Sequence, residues 1–584
     1  AGGPDPRGPP GGWRGGRGAR GGRGGGRGER LAWLLLVAAA CTKGVEPSIV
    51  PCTAAGDSVS LASDEYAFFD PAVGAGCTVF PATGSGAQYL IVPQLTAGHP
   101  GDQAQYRLVG DTINPATPSP TAPQLARLGS AERFHMFLRL GDERRFWGFA
   151  PQMGPELSAP QRAPHVGPPV YDELRTFQVC AKTDCSRFDR VGAKAKGLSS
   201  KVAIFVDTLA PAGGLDSLQL DSIARLFDTR LYAIDTAAFG RPSDIDANQV
   251  IMVLMTNTVN KLVTAAECTT SGFVAGFFYG VDIDPRYSSD PHSNKGEIFY
   301  SIVADPAGTL SCAHSAAQVQ AFVPVTFVHE FQHMISFNQH VLVRGQSGEL
   351  LWLNEGFSHY AEELGGRSYE INHNARITDC TTTPFATIQC RYYSGNLLNA
   401  YEYLDSTENH FLLPTEGIGS LAERGGAWLF VRYLVDRYAG AATDSAWNEF
   451  TRKMVQTSQV GAANIETATG AQFEDIVSRW GLTNWVTDLT PHAELKYDSW
   501  DMHSVYSSLH TQRPGLFPNA YPVSPTVSAG RDIDLSGTLR SGSPIYVLGT
   551  QVAGDPAFTL SFTAPNGALI SAAMKPRLNV YRLQ

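Results

Sequence analysis

A His-Glu-x-x-His pattern at residues 329–333 constrains this chain more than any other feature. On a helix, His329 and His333 lie four residues apart, so both imidazoles leave the same face and can bind one metal ion. Zn²⁺ binds neutral imidazoles at about 2.0–2.1 Å, and Glu330 lies beside such a metal without binding it. That position suits a general base acting on zinc-bound water. The pattern therefore predicts a zinc hydrolase.

The surrounding residues favour a buried helix followed by a third ligand. Apolar residues recur at helical spacing over residues 323–337: Val325, Val328, Phe331, Met334 and Ile335. An apolar run at 350–353 then leads into Asn354 and Glu355, where we expect a second helix and a carboxylate ligand. Two histidines and one glutamate leave a coordination position open, as in catalytic zinc sites, whereas structural sites have four protein ligands. The alternative is a surface helix that binds no metal.

Two segments, His-Glu-Phe-Gln-His-Met-Ile at 329–335 and Trp-Leu-Asn-Glu-Gly-Phe at 352–357, resemble the gluzincin metallopeptidases, most closely the hyicolysin family. The small-residue turn and aromatic helix at 424–434 are similar too, and the resemblance spans roughly residues 200–500. It implies an α+β, thermolysin-like catalytic domain with a mixed sheet and a helical subdomain. It also implies zinc on His329, His333 and Glu355, with Glu330 as general base. In gluzincins, a strand ahead of the zinc helix pairs with the extended substrate backbone.

The chain departs from the gluzincin pattern at two places. Relatives often have a tyrosine near the small-residue turn that donates to the transition-state oxyanion, but residues 423–425 read Glu-Arg-Gly. In thermolysin-like enzymes an acid four residues after the ligand glutamate steadies a ligand histidine, and that residue here is His359. The oxyanion donor therefore stays open among several candidates: Tyr392, Tyr393, Tyr401, His410 and Arg424.

The length of 584 residues predicts several domains, because single hydrophobic cores stop growing near about 250–300 residues. Short alternating runs broken by Gly and Pro predict a β-rich N-terminal domain at 46–195, and similar runs predict a C-terminal β domain at 505–584. We expect both to be β-sandwich-like and to flank a catalytic domain at 200–500. Residues 111–125, rich in Pro and Thr, predict a long loop or linker.

Residues 1–41 combine an Arg/Gly-rich tail with a predicted signal peptide. A basic region, the short apolar run 31–37 and three alanines precede Cys41. This run is shorter than the about 20 residues of a membrane-spanning helix. The cysteine after the alanines resembles a bacterial lipoprotein signal, so we expect an extracytoplasmic protein, secreted or anchored to the cell envelope through Cys41. An RNA-binding Arg-Gly tail is the alternative for the first thirty residues.

The charge of the chain argues against a nucleic-acid partner. The formal net charge is −10, but residues 1–30 hold seven Arg against Asp5 and Glu29, about +5, which leaves about −15 for the remainder. Binding to nucleic acid depends on neutralising phosphates with positive charge. We expect protein or peptide substrates, no nucleic acid, contact with a membrane only through Cys41, and a monomer.

Nine cysteines fit an exported protein. Setting Cys41 aside as a lipid anchor leaves eight, an even number that suits disulfides in an oxidising compartment. Eight cysteines allow 105 pairings, and free buried thiols are an alternative for some of them. We expect sequence neighbours to pair: Cys52–Cys77, Cys180–Cys185, Cys268–Cys312 and Cys380–Cys390.

A polar loop ahead of the zinc helix is a candidate for a second metal. It contains Asp282, Asp284, Asp290, His292 and Asn294, whose oxygens suit Ca²⁺, although an EF-hand spacing is absent there. A plain polar loop is the alternative. The sequence thus predicts one zinc per chain, with Ca²⁺ as a further candidate.

The function that these predictions favour is an exported zinc-dependent endopeptidase. An aminopeptidase of the same fold is the first rival, but the strands predicted at 272–280 and 297–303 lack the Gly-x-Met-Glu-Asn motif with which that family binds a free α-amine. The second rival is a non-catalytic surface-binding protein with a vestigial peptidase domain. The intact Glu330 disfavours it.

Overall fold

A computed structural model describes Cys52 and residues 57–111, 167–381, 387–415 and 419–584. All of these belong to one structural unit, Ile49–Gln584. The predicted signal peptide, Cys41 and most of the predicted linker lie outside the described residues. Among the residues that the structure describes, no helix is both long and apolar enough to cross a membrane.

The described strands form three sheets. In chain order they are β1 (Asp57–Ser58), β2 (Tyr66–Phe69), β3 (Cys77–Phe80), β4 (Ala87–Leu95), β5 (Gln103–Asp111), β6 (Leu174–Cys180), β7 (Phe188–Leu198), β8 (Val202–Asp207), β9 (Ile251–Met255), β10 (Gly276–Phe278), β11 (Ile298–Ser301), β12 (Thr526–Ala529), β13 (Asp534–Arg540), β14 (Val547–Gln551), β15 (Phe558–Thr563) and β16 (Pro576–Arg582).

The described helices lie mostly in the second half of the chain. They are α1 (Ser217–Leu226), α2 (Tyr232–Ala238), α3 (Asn257–Asn260), α4 (Ala265–Ser271), α5 (Ala316–Phe337), α6 (Leu351–Arg367), α7 (Ile388–Asp405), α8 (Leu421–Tyr438), α9 (Asp444–Val455), α10 (Gly461–Thr469), α11 (Phe473–Val486) and α12 (Met502–Gln512). The mixture of sheets and helices agrees with the predicted α+β class.

The two ends of the chain build one β-sandwich together. One sheet has the strand order β1-β3-β15-β5-β13 and the other has β12-β14-β4-β16-β2, so each contains strands from both ends. Phe80 of β3 stacks on Phe558 of β15 at 4.5 Å between ring centroids, inside a core that both sheets share. The strand patterns in the sequence predict a separate β domain at each end of the chain. The structure differs because strands of each end pair with strands of the other, as β16 does between β2 and β4.

A six-stranded mixed sheet, the central sheet, carries the predicted catalytic region. Its order is β10-β11-β9-β8-β7-β6, with β8, β9 and β11 parallel and the outer pairs antiparallel. Strand β6 and most of β7 fall within the predicted N-terminal domain 46–195, but β6 pairs with β7, and β7 pairs with β8 of the central sheet. Apolar residues alternate along β7, as the fully buried Ala193 and Ala195 show, and this pattern fits a strand of either a sandwich or the central sheet. The pairing of β7 with β8 places it in the central sheet.

Helix α5 carries the His-Glu-x-x-His pattern and begins earlier than the predicted position near 323. Ser315 caps its first turn by accepting from the backbone N–H of Gln318, whose side chain accepts in return from the N–H of Ser315. The helix continues through Pro324, which removes one backbone donor, and almost all of its second half is buried. Burial of this half places the pattern inside the fold.

Helices α6, α7 and α8 pack closely behind the pattern and form the helical subdomain. The buried carboxylate of Glu363 on α6 accepts from the indole N–H groups of Trp428 at 2.9 Å and Trp500 at 3.0 Å, and it pairs with Arg367. A Cβ on Gly425 of α8 would lie 2.2 Å from the backbone of α7, so the missing side chain permits this close packing. The small residues at 425–427, predicted as a turn, lie within α8. These contacts fix α6, which carries Glu355, against its neighbours.

The cysteines of the structure form the four predicted pairs. They are Cys52–Cys77, Cys180–Cys185, Cys268–Cys312 and Cys380–Cys390, with Cα–Cα distances of 5.4, 5.0, 5.9 and 5.5 Å. The prediction of neighbouring pairs is confirmed at this level. In sequence, Cys268–Cys312 precedes the predicted metal ligands and Cys380–Cys390 follows them.

Candidate metal centre

The predicted ligands come together between α5 and α6. His329 Nε2 and His333 Nε2 are 3.2 Å apart, which follows from their position on successive turns of α5. Glu355, near the start of α6, places one carboxylate oxygen 3.5 Å from His329 Nε2 and the other 3.7 Å from His333 Nε2. All three side chains are buried, with Glu355 only 1% exposed. The sequence pattern and the fold thus converge on a single cluster.

The spacing of these atoms suits zinc. Four ligands at about 2.0–2.1 Å in a tetrahedron stand about 3.3–3.4 Å from one another. The measured separations of 3.2, 3.5 and 3.7 Å bracket this value. Two imidazole nitrogens and one carboxylate are also the donor set of catalytic zinc sites with an open position. The residues present therefore fit a zinc ion.

Glu362 orients the first histidine. Its Oε1 lies 2.7 Å from His329 Nδ1, the ring nitrogen that faces away from the cluster, and its Oε2 lies 3.2 Å from His359 Nδ1. His359 occupies the position at which the thermolysin-like pattern predicts an acid. The acid is instead Glu362, seven residues after Glu355 on the same face of α6. A carboxylate on the second nitrogen of a ligand histidine fixes the ring and raises its basicity.

Polar residues of α6 surround the second histidine. His333 Nδ1 lies 3.3 Å from Asn354 Oδ1, and the Ser358 hydroxyl lies 3.1 Å from the same nitrogen. Ser358 also donates to Gln332 on α5 at 2.6 Å. Asn354 thus has a role beside Glu355, because it lies directly before this residue on α6 and contacts the other predicted ligand.

Glu330 is held by the edge of the central sheet. The backbone N–H of Phe278, in the outermost strand β10, donates to Glu330 Oε2 at 2.9 Å. Glu330 is 1% exposed and adjoins His329 in sequence. The carboxylate of Glu330 therefore contacts β10, and this residue lies next to the predicted ligand His329. The gluzincin resemblance predicts that the substrate lies along a strand of this kind.

The electrostatics of the cluster favour a bound cation. Burial alone would lower the pKa of His329, but the carboxylates of Glu355 and Glu362 beside it raise this pKa to about 10. Burial alone would raise the pKa of Glu362, yet His359 and His329 lower it to about 2. The carboxylates thus hold a proton on the imidazole when no metal is bound. A metal ion would supply that positive charge instead.

Arg424 is the oxyanion candidate that reaches the cluster. Its Nε lies 3.8 Å from Glu355 Oε2. Burial alone would raise the pKa of Glu355, but nearby positive charge, that of Arg424 above all, holds this pKa well below its usual range. The Nη2 of Arg424 is buried and has no hydrogen-bond acceptor among the described residues. The other candidates have contacts elsewhere: Tyr401 donates to the Asn519 carbonyl, His410 lies near Ser406, and Tyr392 and Tyr393 pack on Gly365 and Gly366.

The polar loop proposed as a calcium site is satisfied from within the protein. Asp282 accepts from the Tyr300 hydroxyl at 2.5 Å and from the backbone N–H of Asn294 at 2.6 Å. Asp284 forms an ion pair with Arg286 at 2.6 Å. These partners make the loop an ordered polar connection, and no carboxylate cluster suited to a metal involves it within the described residues.

Glu362 provides a test of how the cluster is built. We expect Glu362→Gln to weaken zinc binding by about 10–100-fold, because the amide can still accept from His329 Nδ1 but lacks the charge that raises the basicity of the ring. Competition for zinc with a chromophoric chelator measures this change. Glu449→Gln, an exposed change on α9, is the matched control. Equal zinc affinities in Glu362→Gln and the wild type would remove Glu362 from the site.

Comparison with known proteins gives a partial match. No protein-family model matches the chain. A stretch of 148 residues, 25% of the chain, is 30% identical to the neutral metalloprotease ShpI of Staphylococcus hyicus, of which it covers 31%. The chain thus spans less than a third of that relative. This match supports a metallopeptidase with a metal cofactor, which is a coarser statement than the gluzincin class or the hyicolysin family.

Proposed function

We propose that the chain is an exported zinc-dependent endopeptidase of the gluzincin type, related to the hyicolysin family. The observation that carries the proposal is the convergence of His329, His333 and Glu355 with Glu330 alongside. The donor atoms stand at the mutual distances that zinc requires, and the fourth position is left to water or substrate. The partial match to a neutral metalloprotease supports the same class.

Glu330 is assigned the proton transfers. When bound, zinc would acidify a water molecule and polarise the carbonyl of the scissile peptide. The Phe278 N–H fixes one carboxylate oxygen of Glu330, so the group is oriented before substrate arrives. The carboxylate takes the proton of the attacking water and returns it to the leaving amine. The first transfer requires the ionised carboxylate and the second requires the carboxylic acid that the first has formed, and an amide can supply neither.

Arg424 is assigned to the oxyanion. A guanidinium keeps its charge at any pH at which proteins fold, so it can hold Glu355 ionised while its buried Nη2 donates to a substrate oxygen. Donors that are fixed before the reaction and shielded from water stabilise the developing negative charge most strongly. This assignment places an arginine where relatives use tyrosine.

The substrate is proposed to be the middle of an extended polypeptide. Strand β10 is the outermost strand of the central sheet and directly contacts Glu330 through Phe278. An extended peptide that lies along such a strand brings its backbone to the base and the metal. An aminopeptidase needs carboxylates for the substrate α-amine, but Glu297 is buried and accepts from the Ile245 N–H at 2.9 Å. This contact favours the endopeptidase over its first rival.

Export is supported by the four disulfide pairs, which form and persist in oxidising compartments. The signal peptide, the lipid anchor at Cys41 and the monomeric state remain proposals from the sequence. The buried, hydrogen-bonded Glu330 argues against a vestigial, non-catalytic domain, because loss of activity would leave this residue free to change.

Mapping the products of peptide cleavage tests the endopeptidase proposal. We expect the zinc-loaded protein to cut denatured casein and N-acetylated peptides internally, with inhibition by a chelator and recovery on adding zinc. Mass spectrometry of the fragments identifies the cleaved bonds. Release of single N-terminal residues from free peptides, abolished by acetylation, would instead establish the aminopeptidase. No cleavage of either kind would leave the non-catalytic binding protein.

A further inference from the structure

A second cluster of carboxylates lies where two strands of the central sheet begin, and none of its members belongs to the candidate metal centre. Ligand oxygens of Asp244, Asp246 and Glu297 all lie within 4.8 Å of one another. The first two belong to the loop that precedes β9, and Glu297 directly precedes β11. Strands β9 and β11 are parallel neighbours, with Met252 opposite Ile298, so the sheet itself brings these residues together.

The loop before β9 has the spacing of a calcium-binding loop. Residues 244–250 read Asp-Ile-Asp-Ala-Asn-Gln-Val, which places oxygen donors at the first, third and fifth positions as in an EF-hand. Gln249, the sixth residue of the loop, has φ of 59°, a conformation for which EF-hand loops use glycine at this position. Ala247, the fourth residue, has φ of 58°. The Gln249 N–H donates to Asp244 Oδ1 at 3.0 Å and closes the loop. A carboxylate from outside the loop is then needed in place of the terminal glutamate of an EF-hand.

Glu297 provides that carboxylate, and it lacks a partner for one oxygen. The residue is only 2% exposed, and its Oε1 accepts from the N–H of Ile245 within the loop. Its Oε2 is buried and makes no hydrogen bond to any described residue. Burial raises the pKa of Glu297 and the nearby Ser243 hydroxyl acts against this rise, but that hydroxyl also forms no hydrogen bond to a described residue. A buried carboxylate oxygen without a donor is costly unless a cation binds it.

Two arginines lie near the cluster. Arg241 lines the same cavity as Asp244 and Glu297, and the charge of Arg175, which pairs with Glu173, acts against the burial that raises the pKa of Asp246. Within the described ranges, no lysine or arginine lies within ion-pair distance of Asp244, Asp246 or Glu297. Lys201 lines the same cavity of about 480 Å³ but has its ammonium over the Tyr232 ring at 5.4 Å. Burial raises the pKa of Glu297 to about 7, as expected for a carboxylate that no positive charge stabilises. Asp244 is exposed, so an ion can enter from solvent.

We propose that Asp244, Asp246 and Glu297 form a structural Ca²⁺ site. The donors are all oxygen atoms, which Ca²⁺ prefers, and the loop lacks the histidines and cysteines that zinc favours. A bound ion would tie the loop to the first residues of β9 and β11. It would thereby stiffen the central sheet, whose next strand, β10, positions Glu330. This site is separate from the polar loop around Asp282. In the proposed site, the two oxygens of Asp246 accept from the backbone N–H of Asn248 at 3.2 Å and from its side-chain amide at 2.6 Å, whereas Glu297 Oε2 is buried without a donor among the described residues.

Calorimetric titration with calcium chloride tests this site on the full-length, zinc-loaded chain in calcium-free buffer. We expect one Ca²⁺ per chain, a weaker response to magnesium, and a rise of a few degrees in Tm at saturating calcium. Asp244→Asn and Glu297→Gln should each lose most of the calcium affinity. Asp244 is exposed, so its change leaves the fold intact even where Glu297→Gln lowers stability. Asp290→Asn, in the polar loop, is the matched control and should bind calcium normally.

Three results would overturn the site. One is the absence of saturable calcium binding to the wild type. Another is calcium affinity that persists in both Asp244→Asn and Glu297→Gln. The third is affinity that Asp290→Asn removes instead, which would move the ion to the polar loop. Because the readouts are heat and Tm, they do not depend on whether the protein cleaves peptides.

Discussion

Changing Glu330 to glutamine is expected to lower kcat by at least about 10²–10⁴-fold, the range of a positioned general base, while zinc stays bound. The glutamine side chain has the same shape and can still accept from the Phe278 N–H, so the local structure persists. It cannot take a proton from water at neutral pH. Because Glu330 is not a ligand, metal content should equal that of the wild type. Steady-state kinetics on a blocked, internally quenched peptide measures the loss.

Glu449→Gln is the control for this change, since it removes a carboxylate from an exposed position on another helix. Near-normal turnover in Glu330→Gln would show that another group accepts the proton. Loss of zinc together with activity would show that Glu330 binds the metal. Either result would require a different mechanism from the one proposed.

Changing Glu355 to alanine is expected to abolish stoichiometric zinc binding. The change leaves only His329 and His333 as proposed protein ligands. The affinity for zinc should therefore fall by more than the about 10–100-fold loss that is typical when a residue that hydrogen-bonds to a ligand is changed. Activity should fall with zinc content and recover partly at high zinc. The zinc content of dialysed protein, measured by mass spectrometry, tests this expectation.

A companion variant separates metal loss from unfolding. Glu355→Ala removes the carboxylate next to Arg424, which is buried, and an unpaired buried charge commonly costs about 3–5 kcal/mol of stability. Glu355→Gln keeps the side-chain volume and an acceptor for the guanidinium. Circular dichroism should show a folded Glu355→Gln protein that is poor in zinc. One zinc per chain in this folded variant, at wild-type affinity, would mean that Glu355 is not a ligand.

The grouping of His329, His333 and Glu355 could be predicted from sequence because its geometry is local. A spacing of four residues on one helix fixes the relation of His329 to His333, and the next helix begins close enough to bring Glu355 to them. The thermolysin-like pattern does not predict Glu362, because it places the acid four residues after Glu355 and not seven. Two turns of helix also return to the same face, so the spacing of seven was a usable signal.

The sandwich could not be predicted because its pairing is non-local. Residues of β13 pair with β5 more than 400 positions away in sequence, as Asp534 does with Val109. Alternation of apolar residues identifies each strand, but it carries no information on the partner strand. For the same reason β7 was placed in the N-terminal domain, whereas its buried residues pack in the central sheet.

The acidic spacing of the loop at 244–250 is visible in the sequence, but it does not by itself predict a metal site. The loop lacks the usual glycine, and its remaining acid, Glu297, lies on another strand, so no continuous motif exists. The sheet register alone places Glu297 beside the loop. By contrast, the acids around Asp282 form a conspicuous run in sequence, but hydrogen bonds within the protein satisfy them.

The most direct test of the central claim is to measure zinc per chain and cleavage of one blocked peptide on the same samples of wild type, Glu330→Gln and Glu355→Gln. We predict one zinc with internal cleavage for the wild type, one zinc with almost no cleavage for Glu330→Gln, and little zinc with little cleavage for Glu355→Gln. Cleavage by metal-free wild type, or full activity in either variant, would contradict a zinc-dependent endopeptidase centred on these residues.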